Sequence, residues 1–184
     1  MEEMITHEEF TKKLILALNQ TGISYTLIGG VAAMFYGRPR TTQDCDVIIS
    51  LDESQIKQLC ESLRSHGFLI NETDVHMAFK EKSHFNAYLN NFYLFRADFS
   101  WKNGSLADHT FKHAKTESIF GVRAQVTSPE DLIIAKLVYG SGQDFDDALA
   151  VLRRQKNLDK KYIQKRVGEE DVLDKWKELQ KQAT

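Results

Sequence analysis

The alternation of apolar and polar positions predicts a chain that begins with interleaved helices and strands and ends with helices alone. Phe10, Leu14 and Leu18 recur at helical spacing behind Thr6-His7-Glu8-Glu9, a capping-box signature, and Gly22 ends this first helix. Tyr25 to Ile28 is a short apolar run, read as a buried strand. Gly29-Gly30 turns the chain, and Val31 to Tyr36 makes a short helix stopped by Gly37. A polar loop, Arg38 to Gln43, leads to a second strand that starts near Asp44 and continues through Val47-Ile48-Ile49. Asp52 and Gln55 open a helix that runs to about Ser65, and Phe68 to Ile70 reads as a strand. The aromatic-rich stretch from His76 to Trp101 predicts strands around Met77 to Lys80 and Phe92 to Phe99, with a turn at Asn90-Asn91. Gly121 to Val126 predicts one more strand.

The character changes at Ser128-Pro129-Glu130-Asp131. Ser as N-cap, Pro in the first helical position and acids in the first turn make a strong helix start. Helices are expected over Pro129 to Tyr139, Phe145 to Arg154, Lys160 to Arg166 and Asp171 to Gln182. The expected architecture is α/β (α+β): a small mixed β-sheet flanked by helices over residues 1–127, with a helical C-terminal extension over 128–184 packed on it.

Composition narrows the function classes. With 184 residues and 42% hydrophobic positions, the chain can bury an ordinary core. A net charge of -2 argues against a protein that coats nucleic acid through bulk positive charge, while leaving room for a local patch or a compact anion. Two cysteines, Cys45 and Cys60, form neither a disulfide framework nor a zinc ribbon. The N-terminus is acidic, and no apolar run approaches a membrane span, so a soluble, cytoplasmic protein without membrane contact is expected.

The chemistry concentrates between Leu27 and Val47. Gly29-Gly30 is followed, after thirteen residues, by Asp44-Cys45-Asp46. Glycines between a strand and a helix let backbone N–H groups approach phosphate oxygens, and a helix N-terminus favours negative charge. Asp44 and Asp46 stand two apart on a strand, so their carboxylates share one face, and Cys45 points to the other, into the core. Two such carboxylates repel each other unless a cation sits between them; a hard divalent ion with oxygen ligands suits them.

This pattern resembles the nucleotidyltransferase superfamily that includes DNA polymerase β. Gly37-Arg38-Pro39-Arg40-Thr41-Thr42-Gln43-Asp44-Cys45-Asp46 is similar to the form found in small prokaryotic members, among them antibiotic nucleotidyltransferases and those related to abortive-infection toxins (AbiEii/AbiGii type). The resemblance implies transfer of a nucleoside monophosphate from an NTP to an acceptor hydroxyl, on RNA or tRNA, a protein or a small molecule. A catalytically silent nucleotide- or RNA-binding module of the same fold is the other class. It further implies two Mg²⁺ ions (Mn²⁺ as a substitute) on Asp44, Asp46 and a third carboxylate. Asp98 is the acid in the apolar run Tyr93 to Ser100 that best matches that third position and would also help remove the acceptor's proton; Asp74 and Asp108 read as loop residues. Gly29 and Gly30 would seat the β,γ-phosphates, with Arg38, Arg40, Thr42, Lys136 and Asp147 completing the nucleotide site. Pro129-Glu130-Asp131 with Lys136, Asp144 and Asp147 resembles the family's distal motif, except that Gln143 stands where arginine is common. A toxin-type relative would have a cognate antitoxin.

Other features read as structural. His109 and His113 share a helical face but lack a third metal ligand. Phe85, Tyr88, Phe92, Tyr93, Phe95, Phe99 and Trp101 read mainly as core, and the basic run from Arg153 to Lys165 as a solvated helix face.

Overall fold

The structure, a computed structural model, describes residues 5–90 and 92–183. Seven strands form one mixed sheet in the order β3-β4-β5-β2-β1-β7-β6. They are β1 (Ser24–Leu27), β2 (Asp44–Ser50), β3 (Phe68–Leu69), β4 (Phe85–Leu89), β5 (Phe92–Trp101), β6 (Lys115–Ile119) and β7 (Val122–Val126). The helices are α1 (His7–Thr21), α2 (Gly29–Tyr36), α3 (Ile56–Ser65), α4 (Glu72–Glu81), α5 (Ser105–Lys112), α6 (Pro129–Tyr139), α7 (Gly142–Arg154), α8 (Lys160–Glu169) and α9 (Leu173–Ala183).

Thr6 and Glu9 make the expected capping box at α1, and Gly22 closes that helix in the left-handed conformation. Phe10, Leu14 and Leu18 lie on its buried stripe, and the Phe10 ring meets Phe95 of β5 at 5.6 Å. That contact puts α1 over the sheet face carrying Cys45, Val47, Phe95, Ala97 and Phe99, all buried. Ser128 caps α6 through its hydroxyl, as expected from the sequence, and Leu132, Ile133, Ile134 and Leu137 sink into the same core.

Several expectations fail between Phe68 and Val126. The strand predicted around Met77 to Lys80 is instead the second half of α4. Asn71 caps this helix by accepting from the Thr73 N–H at 3.0 Å, Glu72 and Asp74 occupy its first turn, and Val75 and Ala78 are buried three apart. The cap and the acids outweigh the β propensity of the aromatic residues nearby. Asp74 and Asp108, read as loop residues, lie on α4 and α5. Strands β4 and β6 were not predicted. Strand β4 hides its apolar residues among polar ones, with Phe85, Ala87 and Leu89 buried in alternation. Strand β6 is largely polar and hairpins onto β7 through Phe120-Gly121, both at positive φ (48° and 82°), the geometry of a tight two-residue turn. Of the expected Asn90-Asn91 turn, Asn91 lies outside the described residues, as do the side chains of Phe92 and Tyr93. Among the described residues, no helix is long and apolar enough to cross a membrane.

Candidate active site

The register of the sheet gathers the acids. Strands β2 and β5 run parallel with Asp46 directly opposite Asp98 and Asp44 opposite Arg96. Side chains opposite each other in a ladder point to one face, so Asp44, Asp46, Arg96 and Asp98 form a square of charges there. Antiparallel β4 adds Asn86 opposite Asp98 and Tyr88 opposite Arg96. With its nitrogen turned to the carboxylate, the Asn86 amide donates to Asp98 Oδ1 at 2.8 Å.

Asp46 lies under the entry to α2. The Gly30 N–H points to its Oδ2 at 3.4 Å, and the Ile28 N–H donates to its main-chain oxygen at 3.0 Å. Gly29 makes the corner at φ +59°, and a Cβ there would stand 1.9 Å from Asp46 Oδ2. A Cβ on Gly30 would stand 2.8 Å from Thr42 Oγ1 and 3.0 Å from Arg40 Nη2. Gly29 is therefore required by close approach and by its backbone conformation, whereas a side chain at Gly30 would have to displace Thr42 and Arg40. The N-cap residue Ile28 gives α2 no side-chain cap, and the Asp46 carboxylate stands at the Gly30 N–H of its first turn instead. Burial pushes the Asp46 carboxyl above the usual carboxylate range; the Gly30 N–H opposes this, and the neighbouring Asp98 and Asp44 add to it.

Two clefts meet at Asp46. A polar one of about 440 Å³ is lined by Gly30, Arg40, Thr42, Asp44, Asp46 and Gln143 among others. The second, about 560 Å³, reaches Asp46 and Asp98 and is walled by Ile28, Trp101, Leu106 and Tyr139. Lys136 borders both clefts.

A family model described as a nucleotidyltransferase of unknown function (DUF6036) matches residues 4–183. The chain belongs to the DUF6036 family of nucleotidyltransferases. No curated protein matches it by sequence. Solved structures that resemble it include an antigenic nucleotidyltransferase-like protein from Paracoccidioides brasiliensis, with a TM-score of 0.56 and 17% identity over 92% of this chain and 90% of that one. Another is the lincosamide antibiotic adenylyltransferase LnuA bound to lincomycin, with a TM-score of 0.52 and 14% identity over 81% of this chain and 99% of that one. At these identities the likeness establishes the nucleotidyltransferase fold.

In this DUF6036 chain the distal residues act partly on each other. Lys136, nearly buried on α6, lies 2.6 Å from Asp144 Oδ1 and 3.0 Å from Asp147 Oδ2. Arg40 Nε lies 3.1 Å from the other Asp147 oxygen. Asp147 is thus a buried brace between Arg40 and Lys136 and lines neither cleft. Asp144 closes a capping box with Ser141 at the start of α7. Burial would raise its carboxyl, but Lys136 and the Ser141 hydroxyl hold it below the ordinary range. Arg38 turns away to exposed Asp146 at 3.3 Å. Thr42 Oγ1 donates to the Asp44 main-chain oxygen at 3.3 Å and stands over Gly30.

Sequence reasoning missed Arg96. Its Nη2 donates to Asp98 Oδ2 at 2.8 Å, its Nε lies 2.6 Å from Asp98 Oδ1, and Nη2 is 3.4 Å from Asp44 Oδ1. The signal was present: Arg96 stands two residues before Asp98, hence on the same face of its strand. His109 and His113 belong to another cluster, in which the Tyr162 hydroxyl donates to buried Asp131 at 2.6 Å. The two histidine rings approach that hydroxyl and tie α5 to α6 and α8.

Among the described residues, no three His, Cys, Asp or Glu side chains close around a metal by themselves. Asp44 and Asp46 nonetheless fit one edge of a divalent-ion site. Their ligand atoms are hard oxygens on one face; burial is the main cause that raises the Asp46 carboxyl, and the repulsion from Asp98 and Asp44 that adds to it is what a cation would relieve.

Proposed function

We propose that this chain transfers a nucleoside monophosphate from an NTP to a hydroxyl of a compact acceptor, in a reaction dependent on Mg²⁺ or Mn²⁺. The observation that carries this reading is the register pairing of Asp46 with Asp98, beside Asp44 and beneath the start of α2. The N–H groups of α2 offer donors to the triphosphate, and Arg40, Thr42 and Lys136 line the polar cleft where its charge would lie. A divalent ion on Asp44 and Asp46 would supply Lewis acidity to the phosphoryl oxygens. The acceptor oxygen bonds to the α-phosphorus as the bond from that phosphorus to the bridging oxygen breaks. Pyrophosphate leaves and the hydroxyl proton passes to solvent. Asp98 borders the larger cleft, which supports a role for it in orienting the hydroxyl.

That cleft favours a small acceptor over the RNA, tRNA or protein of a toxin-like enzyme. Its volume of about 560 Å³ falls among small-molecule pockets, and its wall mixes Trp101, Leu106 and Tyr139 with the polar Lys82, His84 and Asn103. A net charge of -2 gives a long polyanion little general attraction.

The test is incubation with each α-labelled NTP, Mg²⁺ and a metabolite extract or an RNA-plus-protein fraction, for the wild type and for Asp44→Asn/Asp46→Asn. Labelled small molecules formed by the wild type alone are expected. Labelled RNA or protein would transfer the reading to the toxin-like class. Equal labelling by both proteins, or none with any NTP, would remove the transferase reading.

A further inference from the structure

Three carboxylates converge on one sheet face, and their counter-charges are unequally shared. Lys136 and Arg40 are engaged with Asp144 and Asp147 on the helical side. Arg96 serves Asp98 and Asp44 together. Its guanidinium spans both Asp98 oxygens and reaches Asp44 Oδ1 at 3.4 Å. Neighbours hold it in that pose: the Tyr88 hydroxyl opposite it accepts from the guanidinium, and Asn86 holds Asp98 from the far side. Among the described residues, no ion pair reaches Asp46, whose close partner is the Gly30 N–H at 3.4 Å. The anionic charge left uncompensated is thus centred on Asp46 and its side of Asp44.

We propose that Arg96 is a built-in counter-ion occupying the place between Asp98 and Asp44 that a second divalent cation would take, so that the protein without substrate binds one divalent ion, at Asp44 and Asp46. This rests on the nucleotidyltransferase reading of the site. A planar guanidinium can grip a carboxylate through two nitrogens and still touch a second, which a single ammonium cannot. While it does so, an ion approaching Asp98 meets a fixed positive charge and carboxylate oxygens already in use. Asp98 becomes available to a metal only when Arg96 turns away.

The experiment is a Mn²⁺ titration of the metal-free protein, counting bound ions by loss of the free-ion paramagnetic resonance signal. Wild type, Arg96→Gln and Arg96→Lys are compared, with folding checked by circular dichroism. Wild type is expected to bind one ion. Arg96→Gln is expected to bind two, the second at least tenfold tighter than any second ion in the wild type, which is about 1.4 kcal/mol. Arg96→Lys keeps a charge for the fold but loses the two-carboxylate grip, and is expected to gain the second ion with a smaller increase. It carries the test if Arg96→Gln does not fold. Two ions of similar affinity in the wild type, or one ion in every folded variant, would overturn the proposal. No binding by any of the proteins would count against both this inference and metal dependence. Loss of labelling in the transferase assay with this stoichiometry intact would remove only the proposed reaction.

Discussion

At the scale of single residues, the candidate site holds side chains at a cost to the fold. Asp46 is the clearest case, since burial and two acidic neighbours make its ionised form costly. Its folded pKa is raised, so the penalty is fully present above that raised value and vanishes below the ordinary carboxylate range. Asp46→Asn keeps an oxygen for the Gly30 N–H and is expected to raise the melting temperature of chelator-treated protein at neutral pH. For a chain of this size each 1 kcal/mol corresponds to about 2–4 °C. The gain should shrink to nothing as the pH falls below the carboxylate range, and thermal scans across pH check both halves. Gly29 is constrained from the other direction. Gly29→Ala forces an L-residue into the left-handed region, at roughly 1–2 kcal/mol, and drives a methyl into Asp46. Gly30→Ala meets the Thr42 hydroxyl, which must turn, and the far end of Arg40, which can shift, and it gains helix propensity of roughly 1 kcal/mol. Urea denaturation should therefore rank Gly29→Ala well below Gly30→Ala, with metal binding weakened most in the former. An inverted ranking would show that α2 enters differently.

At the scale of elements, α6 and α7 are joined through buried charge. Lys136 faces Asp144 and Asp147, the latter almost wholly enclosed and braced by Arg40 from the loop before β2. Removing one partner of a buried pair strands the others, at roughly 3–5 kcal/mol. Lys136→Met should thus lower stability by about 3 kcal/mol at neutral pH. Asp144 has a depressed pKa, so its contribution is present above the ordinary carboxylate range and is lost as pH falls through the depressed value. The deficit of Lys136→Met should narrow as the pH falls from neutral to below the ordinary carboxylate range, measured by urea denaturation across that span. Legibility in the sequence divides at this scale. Gly29, Gly30, Asp44 and Asp46 could be read because strand, turn and alternation are local rules, and α1 and α6 because their caps are. Asp98 was found from its apolar run, but its pairing with Asp46 is a register, which no local rule supplies. Arg96 went unseen because an arginine beside an acid is ordinary until a neighbouring strand brings Asp44 to it. The α4 segment was misread because Phe79 and its neighbours spoke for a strand, whereas the Asn71 cap decided the helix.

At the scale of the molecule, the change of character at Ser128 does not divide the core. Val126 of β7 pairs with Leu27 of β1, and the Thr127 N–H donates to the Leu27 carbonyl, so the chain enters α6 directly from the sheet. One hydrophobic cluster runs from Phe10 and Phe99 through Leu27 and Ile133 to Trp176 and Leu179. Lys136 from the later half borders the same clefts as Asp46 from the earlier half, so the site is complete only when both halves are folded together. Continuity of apolar burial on this scale predicts cooperative, two-state unfolding. The two tryptophans lie on either side of Ser128 and report it separately. Trp101 ends β5 against Phe85 and Phe79, while Trp176 on α9 is fully buried and donates to Gln164 at 3.0 Å. In Trp101→Phe and in Trp176→Phe, the urea midpoint by the remaining tryptophan's fluorescence is expected to match the midpoint by far-ultraviolet circular dichroism. Comparison within each variant cancels whatever stability the substitution itself removes. A Trp176 signal lost at lower urea than the dichroism would mean that the helices after Ser128 can leave a folded sheet. Lys136 would then arrive at the clefts by docking rather than by folding, and its link to Asp144 and Asp147 would form without the sheet.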